Sequence, residues 1–160
     1  MNRNPAAMPP HGAHRYTLRV YYEDTDAGGI VYHATYLRFA ERARTEALRD
    51  MGIPHADLVE RYGLMFVVRR IKVDYLRPAK VDESLAVITE PLEVGFASAT
   101  LRQTVRGAND ALGPRAVLDV GLATVRIDDQ RPCRMPPLWR DTLLGMLAAG
   151  AVGQDAAQAG

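Results

Sequence analysis

The sequence predicts an α+β domain in which an antiparallel sheet of about five strands wraps around one long helix. Apolar residues of the segment 36–51 recur every three or four positions, which is typical of a helix with one buried face. After residue 64 apolar and polar residues alternate, which is the period of a strand. The chain has 160 residues, 48% of them hydrophobic, so it can form one domain with its own core, which we place at 15–147.

The first strand is predicted over 17–22, because β-branched and aromatic residues dominate it and Leu18, Val20 and Tyr22 share one face. The long helix follows over 36–51. Its apolar stripe consists of Leu37, Ala40, Ala43, Ala47, Leu48 and Met51. Its opposite face is charged and is expected to lie in solvent; it carries Arg38, Glu41, Arg42, Glu46 and Arg49.

The remaining elements follow from turn-forming residues that separate periodic segments. A short second helix is predicted over 54–61, with Leu58 as its main apolar contact. A long strand begins at Leu64 and ends before Pro78. Three further strands and a closing helix are predicted over 85–89, 97–105, 115–127 and 138–147.

Both ends of the chain differ in composition from the predicted domain. Residues 1–14 are proline-rich and contain no continuous apolar run, so we expect a flexible arm that is neither a secretory signal nor a membrane span. Residues 148–160 are rich in Ala, Gly and Gln and have no strong apolar periodicity, so we expect a flexible tail.

The overall composition favours a cytoplasmic protein. The net charge is +1, which gives no reason to expect nucleic acid or an acidic partner. The single cysteine, Cys133, cannot form an internal disulfide and has no neighbour at a zinc-ligand spacing. One face of the predicted sheet would stay uncovered in a monomer, so we expect a homo-oligomer, either a dimer or a tetramer.

The segment 19–48 has the character of an active site, because carboxylates and a histidine surround a Gly-Gly turn that leads into the long helix. Backbone N–H groups at a turn and a helix start can stabilise a developing oxyanion. A nearby carboxylate, Asp26, can attack an acyl group or deprotonate water. The residues expected to lie against the substrate are Gly28, Gly29, Ile30 and Val31, with N–H groups around 30–33 as oxyanion donors.

Three carboxylates in the same segment allow an alternative, a divalent cation bound by Glu23, Asp24 and Asp26. No phosphate-cradling loop accompanies them. Alternation along an extended chain would also direct Glu23 away from Asp24. We therefore predict no metal in this segment.

The string YYEDTDAGGIVYHATYLRFAERARTEALR resembles the YbgC branch of the hotdog-fold acyl-CoA thioesterases, a group related to 4-hydroxybenzoyl-CoA thioesterase. A weaker similarity continues through FVVRRIKVDYLRPAKVDESL, at 66–85. The resemblance implies a hotdog fold and hydrolysis of an acyl-CoA thioester in a site between subunits, without a metal or redox cofactor. It also implies a link to the Tol-Pal envelope system of Gram-negative bacteria.

The resemblance places the catalytic aspartate of the family at Asp26 and its accompanying tyrosine and histidine at Tyr22 and His33. Each residue also has an ordinary structural interpretation. Asp26 could be a turn residue or a helix cap, His33 could orient the loop, and Tyr22 could belong to the core.

Basic residues on and after the second strand are candidates for binding the phosphates of coenzyme A, although such charges often only solubilise a sheet face. They are Arg69, Arg70, Lys72, Arg77 and Lys80.

Two other functions remain open from the sequence. The domain could bind acyl-CoA or acyl-carrier protein as an adaptor at the inner membrane, as a peripheral protein without a transmembrane segment. It could also be a dehydratase of the same fold, which would release no free thiol. The length of the acyl group, its aromatic or aliphatic character and its carrier are not encoded in any single segment, because several strands form the pocket walls.

Overall fold

The computed structural model describes residues 12–159, which form a single five-stranded antiparallel sheet and three α-helices. The strands are β1 (His14–Arg19), β2 (Leu64–Tyr75), β3 (Ser84–Val94), β4 (Ser98–Gly107) and β5 (Pro114–Arg126). The helices are α1 (Thr35–Asp50), α2 (His55–Tyr62) and α3 (Pro137–Gln158). The spatial order of the strands is β1-β3-β4-β5-β2, with every neighbouring pair antiparallel, which confirms the predicted α+β fold class.

Helix α1 packs one face on the sheet and forms the larger core cluster with it. Tyr36, Phe39, Ala40 and Ala43 provide the helical side of that cluster. Leu37, predicted on the buried stripe, is instead exposed on the helix surface, because Tyr36 and Phe39 occupy the side that faces the sheet.

A second core cluster joins the end of α1 to α2, β2 and α3. It contains Leu48, Ile53, Leu58, Leu64, Ala99, Met135, Trp139, Leu143 and Met146. Leu58 is fully buried, which agrees with its predicted role as the main apolar contact of α2. The long helix α1 therefore contributes to two separate apolar clusters, one near each of its ends.

The sheet face that would be uncovered in a monomer is polar at its centre. Arg102 on β4 lies opposite Asp119 on β5, and its Nε and Nη2 atoms donate to the two carboxylate oxygens at 2.9 Å each. This hydrogen bonding lowers the pKa of Asp119. A bidentate ion pair therefore lies on this face of the sheet.

Strand β1 begins and ends three residues earlier than predicted, and Tyr22 lies outside it in a 3-10 turn at Tyr22–Asp24. The cause is the Asp24 carboxylate, which accepts a hydrogen bond from the Tyr21 N–H at 2.8 Å. Such a local side-chain acceptor competes with the strand ladder and favours a tight turn.

Strand β3 continues through Pro91 to Val94, beyond the predicted end at residue 89. Its pairing with β1 ends at Thr89, so Pro91 lies beyond that neighbour and removes no donor from the β1 ladder. On the other side a register irregularity between Pro91 and Glu93 accommodates the proline against β4.

The ends of the domain also differ from the prediction. Helix α3 continues eleven residues past residue 147 to Gln158, so most of the segment predicted as an irregular tail is helical. Gly12 packs closely against α3. A Cβ atom at Gly12 would lie 2.1 Å from the Met146 carbonyl oxygen and 2.4 Å from Gly150 N. Residues 1–11 of the predicted arm lie outside the described residues, and His14 already belongs to β1.

Candidate active site

The Gly-Gly segment forms a tight loop between β1 and α1. The Asp26 N–H donates to the Ile30 carbonyl at 2.9 Å, and the Gly29 N–H donates to the Asp26 carbonyl at 3.0 Å. Thr25 and Val31 pair as an isolated antiparallel bridge, which closes the loop. Gly29 has a φ of 76°, a left-handed conformation that favours glycine.

The Asp26 side chain stabilises this loop and remains exposed. Its Oδ1 accepts a hydrogen bond from the Gly28 N–H at 2.8 Å, which is the turn-residue role expected as the ordinary alternative. Its Oδ2 accepts no hydrogen bond from any residue within 12–159. One carboxylate oxygen therefore holds the loop, and the other is available to a ligand or a water molecule.

Asp26 lies in an open groove of about 440 Å³ beside the start of α1. The groove is lined by Asp26, Ile30, Val31, His33, Tyr36, Tyr75, Leu76, Arg77 and Pro78. The structure thus brings together four residues of the predicted site, Asp26, Ile30, Val31 and His33. It adds residues from α1 and from the end of β2.

Tyr75, at the end of β2, holds the loop against the sheet. Its hydroxyl donates to the His33 carbonyl oxygen at 2.7 Å, and its ring packs edge-on against Tyr36 with centroids 5.6 Å apart. Burial raises the pKa of both tyrosines, so both are neutral phenols at neutral pH. The His33 backbone is therefore fixed by a residue 42 positions later in the sequence.

The backbone donors of the groove differ in part from the prediction. The Val31 N–H donates to the Ala79 carbonyl at 2.8 Å and the Tyr32 N–H to the Asp24 carbonyl at 2.9 Å, so neither is free for an oxyanion. Helix α1 begins at Thr35, and its N-cap residue, Ala34, provides no side-chain cap. Within the described chain, the N–H groups of His33 and Ala34 have no acceptor, which makes this helix start the electropositive edge of the groove.

Tyr22 does not line the groove. Its side chain is 82% exposed on the 3-10 turn, so neither the predicted strand position nor a core position is correct. Within one chain, the groove contains a different pair of tyrosines, Tyr36 and Tyr75.

Arg69 and Arg70 are exposed on the edge strand β2, at a bulge where the pairing with β5 shifts by one residue. Neither lines the groove of the same chain. Arg77, two residues after the end of β2, does line it. Among the basic residues considered from the sequence, Arg77 is the one that lines the groove in the described chain.

The acidic run at 23–26 does not form a cluster. The Asp24 side chain is buried and caps the 3-10 turn, while Glu23 and Asp26 are exposed. Across residues 12–159, no three His, Cys, Asp or Glu side chains are grouped as metal ligands would be. In the same part of the chain, no helix combines the length and apolar character needed to cross a bilayer.

Comparisons with known proteins agree with this architecture. The family model described as "Thioesterase superfamily" matches residues 28–113, more than half of the chain. The acyl-CoA thioesterase YbgC of Haemophilus influenzae is 43% identical over 121 residues, covering 76% of this chain and 87% of that protein. The acyl-CoA thioester hydrolase YbgC of Escherichia coli O6:H1 is 44% identical over 98 residues, covering 61% and 72%.

A solved structure supports the same relation. The probable thioesterase from Bartonella henselae superposes with a TM-score of 0.72 at 33% identity, covering 78% of this chain and 99% of that one. The hotdog fold that the sequence resemblance implies is thereby confirmed. The chain belongs to the thioesterase superfamily, in its YbgC-like branch.

Proposed function

We propose that this protein hydrolyses acyl-CoA thioesters, with Asp26 as the catalytic carboxylate. The observation that carries the proposal is the position of Asp26. It lies in a groove beside an uncapped helix start, with one carboxylate oxygen unengaged by the described residues. A negative group and electropositive donors beside the same groove suit acyl transfer. The relatives named as acyl-CoA thioesterases support the same chemistry.

The reaction consumes one water molecule. A C–O bond forms at the thioester carbonyl carbon, the C–S bond breaks, and a carboxylic acid and a thiol are released. Asp26 can act as a general base that takes a proton from the attacking water. It can also attack the carbonyl carbon itself, forming a mixed anhydride that water then opens. In either case the carbonyl oxygen becomes negative, and the N–H groups of His33 and Ala34 are its proposed donors.

Other groove residues receive positioning roles in this proposal. His33 lines the groove and has its backbone fixed by Tyr75, so its ring can orient the attacking water. Arg77 at the groove edge is the proposed partner for a coenzyme A phosphate. Acyl-carrier protein is an alternative carrier, since it presents the same phosphopantetheine arm.

A homo-oligomer is part of the proposal. Asp26 is exposed in a single chain, whereas a catalytic carboxylate gains from a partly desolvated setting. Strand β2 is at one edge of the sheet and carries exposed residues such as Val68, so it can receive a second copy. That copy could bring Tyr22, Arg69 or Arg70 to the groove of its neighbour. Light scattering at micromolar concentration should give a dimer or tetramer mass, and a monomer would contradict this part.

We place the enzyme in the cytoplasm. A single cysteine, Cys133, suits a reducing compartment, and coenzyme A thioesters are the proposed substrates. A connection to the Tol-Pal system, with peripheral association at the inner membrane, is the corresponding proposal for its cellular context.

The decisive assay is release of free thiol from short, long and aromatic acyl-CoAs by the parent and by Asp26→Asn. Asparagine keeps an oxygen that can accept the Gly28 N–H, so the loop should survive while the charge is lost. We expect a rate loss of about 100- to 10,000-fold. Glu23→Gln removes an exposed neighbouring carboxylate and is the matched control, for which we expect parent-like turnover.

The same assay separates the alternative functions. An adaptor would bind acyl-CoA without releasing thiol from any member of the panel. A dehydratase would convert a hydroxyacyl-CoA to an enoyl product, again without free thiol. Full turnover by Asp26→Asn would remove Asp26 from the mechanism.

A further inference from the structure

A second cavity, of about 220 Å³, lies beside the second half of α1 and is more enclosed than the groove. Residues from α1, α2, α3 and the sheet surround it. Its walls are mainly apolar and include Leu48, Met51, Phe66, Leu101, Leu122 and Met146. A cavity of about 150 Å³ is large enough for benzene, so this one can hold a ring with a short substituent or a comparable aliphatic chain.

Arg44 places a buried cation among walls that are mainly apolar. The residue is 9% exposed and lines the cavity. Its Nη1 donates to Oε1 of Gln103 at 2.9 Å, and the Gln103 amide in turn donates to the Ala40 carbonyl and to Thr89 Oγ1. Both polar atoms of the Gln103 side chain are therefore hydrogen-bonded, and the group that it presents to the guanidinium is a neutral oxygen.

No carboxylate lies within ion-pair distance of Arg44 in the part of the chain that the structure describes. The other buried arginine, Arg115, is different, because its Nη2 contacts Asp110 at 2.6 Å and Glu83 at 3.3 Å. A buried cation without a counterion is costly, since its desolvation is not repaid. Arg44 is thus a cation for which an incoming anion would be the missing partner.

The remaining charged and titratable groups of the cavity do not supply that partner. Glu41 lies at its exposed mouth, where it accepts a hydrogen bond from Thr45 at 3.0 Å. Burial lowers the pKa of His55 below its usual value, so this residue is neutral at pH 7. Burial also lowers the pKa of Arg44, with Glu41 acting in the opposite direction.

The cavity is separate from the groove of the same chain. Tyr36 and Arg44 are eight residues apart on α1, which corresponds to about 12 Å along the helix axis. Phe39, Ala40 and Ala43 pack on the sheet between them. A ligand in the cavity would therefore not be in contact with Asp26 of that chain.

We propose that this cavity binds a small apolar carboxylate, with its carboxylate on the Arg44 guanidinium and its hydrocarbon part against Leu101, Leu122 and Met146. The walls are mainly apolar, and a buried guanidinium in such surroundings forms strong charge-assisted hydrogen bonds to a carboxylate. This proposal goes beyond the proposed function and does not depend on it. Carboxylic acids are also the product class of thioester hydrolysis, so a free acid would be present wherever such an enzyme works.

The test is a titration of the full chain with phenylacetate and hexanoate, followed by calorimetry and by methyl NMR. The neutral controls are phenylacetamide and hexanamide, which have the same shape without the charge. We expect the carboxylates to bind about 10- to 100-fold more tightly than the amides. We also expect shifts at the methyl groups of Leu101, Leu122 and Met146 but not at Ile30 in the groove.

Arg44→Met tests the source of that preference, with Arg42→Met on the exposed face of α1 as the matched control. The first variant should reduce the carboxylate preference to less than about 2-fold, and the second should retain it. Equal binding of acid and amide by the parent, or methyl shifts confined to the groove, would overturn the proposal even if Arg44→Met failed to fold. Because no turnover is measured, either outcome leaves the thioesterase proposal untouched.

Discussion

The two concave regions along α1 differ in solvent exposure and in the sign of the charge that they contain. The groove at the start of the helix is open and exposes the Asp26 carboxylate to solvent. The cavity beside the second half of the helix is more enclosed, is lined mainly by apolar side chains, and contains the buried cation Arg44. One helix thus supplies backbone donors at its start and a charged side chain farther along.

The two regions obtain their polar groups from different parts of the chain. At the groove the donors come from a helix start that lacks a side-chain cap, so the loop and Tyr75 have to fix the backbone. At the cavity the donor is a side chain held by Gln103 through a neutral hydrogen bond. Changes to backbone geometry should therefore affect the groove most, and changes to side-chain charge should affect the cavity most.

Among changes that distinguish the two regions, we expect the largest effects from substituting the two glycines of the loop. A Cβ atom at Gly28 would lie 3.1 Å from Asp26 Oδ1, so Gly28→Ala should displace the carboxylate and lower kcat by about 100-fold. A Cβ atom at Gly29 would touch nothing within 4 Å, but φ there is 76°. Gly29→Ala should therefore cost about 1–2 kcal/mol of folding stability.

Thiol release and urea unfolding of both variants separate displacement of Asp26 from backbone strain. A Gly28→Ala enzyme with parent kinetics would show that the Asp26 position tolerates movement. It would also weaken the assignment of Asp26 as the reacting group.

The next effect compares the two buried arginines. Arg115→Met leaves Asp110 and Glu83 without their cation, and we expect a loss of about 1.5–3 kcal/mol in the free energy of unfolding. Arg44→Met removes a buried cation with no counterion in the described chain but leaves Gln103 Oε1 without its donor. These effects oppose each other, so the loss should be smaller than that of Arg115→Met. Chemical denaturation of both proteins measures this, and equal losses would mean that Arg44 is already satisfied.

A smaller effect is expected from Tyr75→Phe. The variant loses the hydrogen bond to the His33 carbonyl while its ring can still pack on Tyr36. The expected loss in kcat/KM is about 2- to 10-fold, equivalent to one ordinary hydrogen bond. Tyr16→Phe, on β1 away from the groove, is a suitable control, and a similar loss in that protein would indicate a general effect of removing a hydroxyl.

The smallest effect concerns His55 at the cavity. Its folded-state pKa is lowered, first by burial, so its contribution to stability is complete above its unfolded pKa of about 6.5. That contribution is lost as the pH falls through the folded value, because the unfolded chain binds the proton more readily. His55→Phe should therefore flatten the stability curve below about pH 6.5. Unfolding measured between pH 7 and 5 checks this, and an unchanged slope would contradict it.

The types and order of the elements could be predicted because the apolar period changes clearly from helix to strand along the chain. The predicted boundaries are wrong where a local hydrogen bond, or the end of pairing with a neighbouring strand, determines where an element stops. Asp24 ends the extended segment early by capping a turn, and Pro91 is tolerated in β3 because β1 has already ended. Neither effect is visible in apolar periodicity.

The site was predictable as far as it is contiguous in sequence. Asp26 and His33 line the same groove because one loop connects them, whereas Tyr75 reaches it from a strand and lies 42 residues beyond His33. Its position depends on where β2 ends in the sheet, which a single sequence does not give. Arg44 lies between Ala43 and Ala47 on the buried stripe, yet its charge argues against burial unless Gln103 is known to be its partner.

The central claim is that the reacting carbonyl lies in the groove beside Asp26. The most direct measurement is a crystal structure with an acyl-CoA analogue in which a methylene replaces the thioester sulfur and the carbonyl is kept. We predict the carbonyl carbon about 3–3.5 Å from an Asp26 oxygen or from a water molecule held by it. A carbonyl bound elsewhere, for example beside Arg44 and out of reach of any Asp26 in the assembly, would contradict the account.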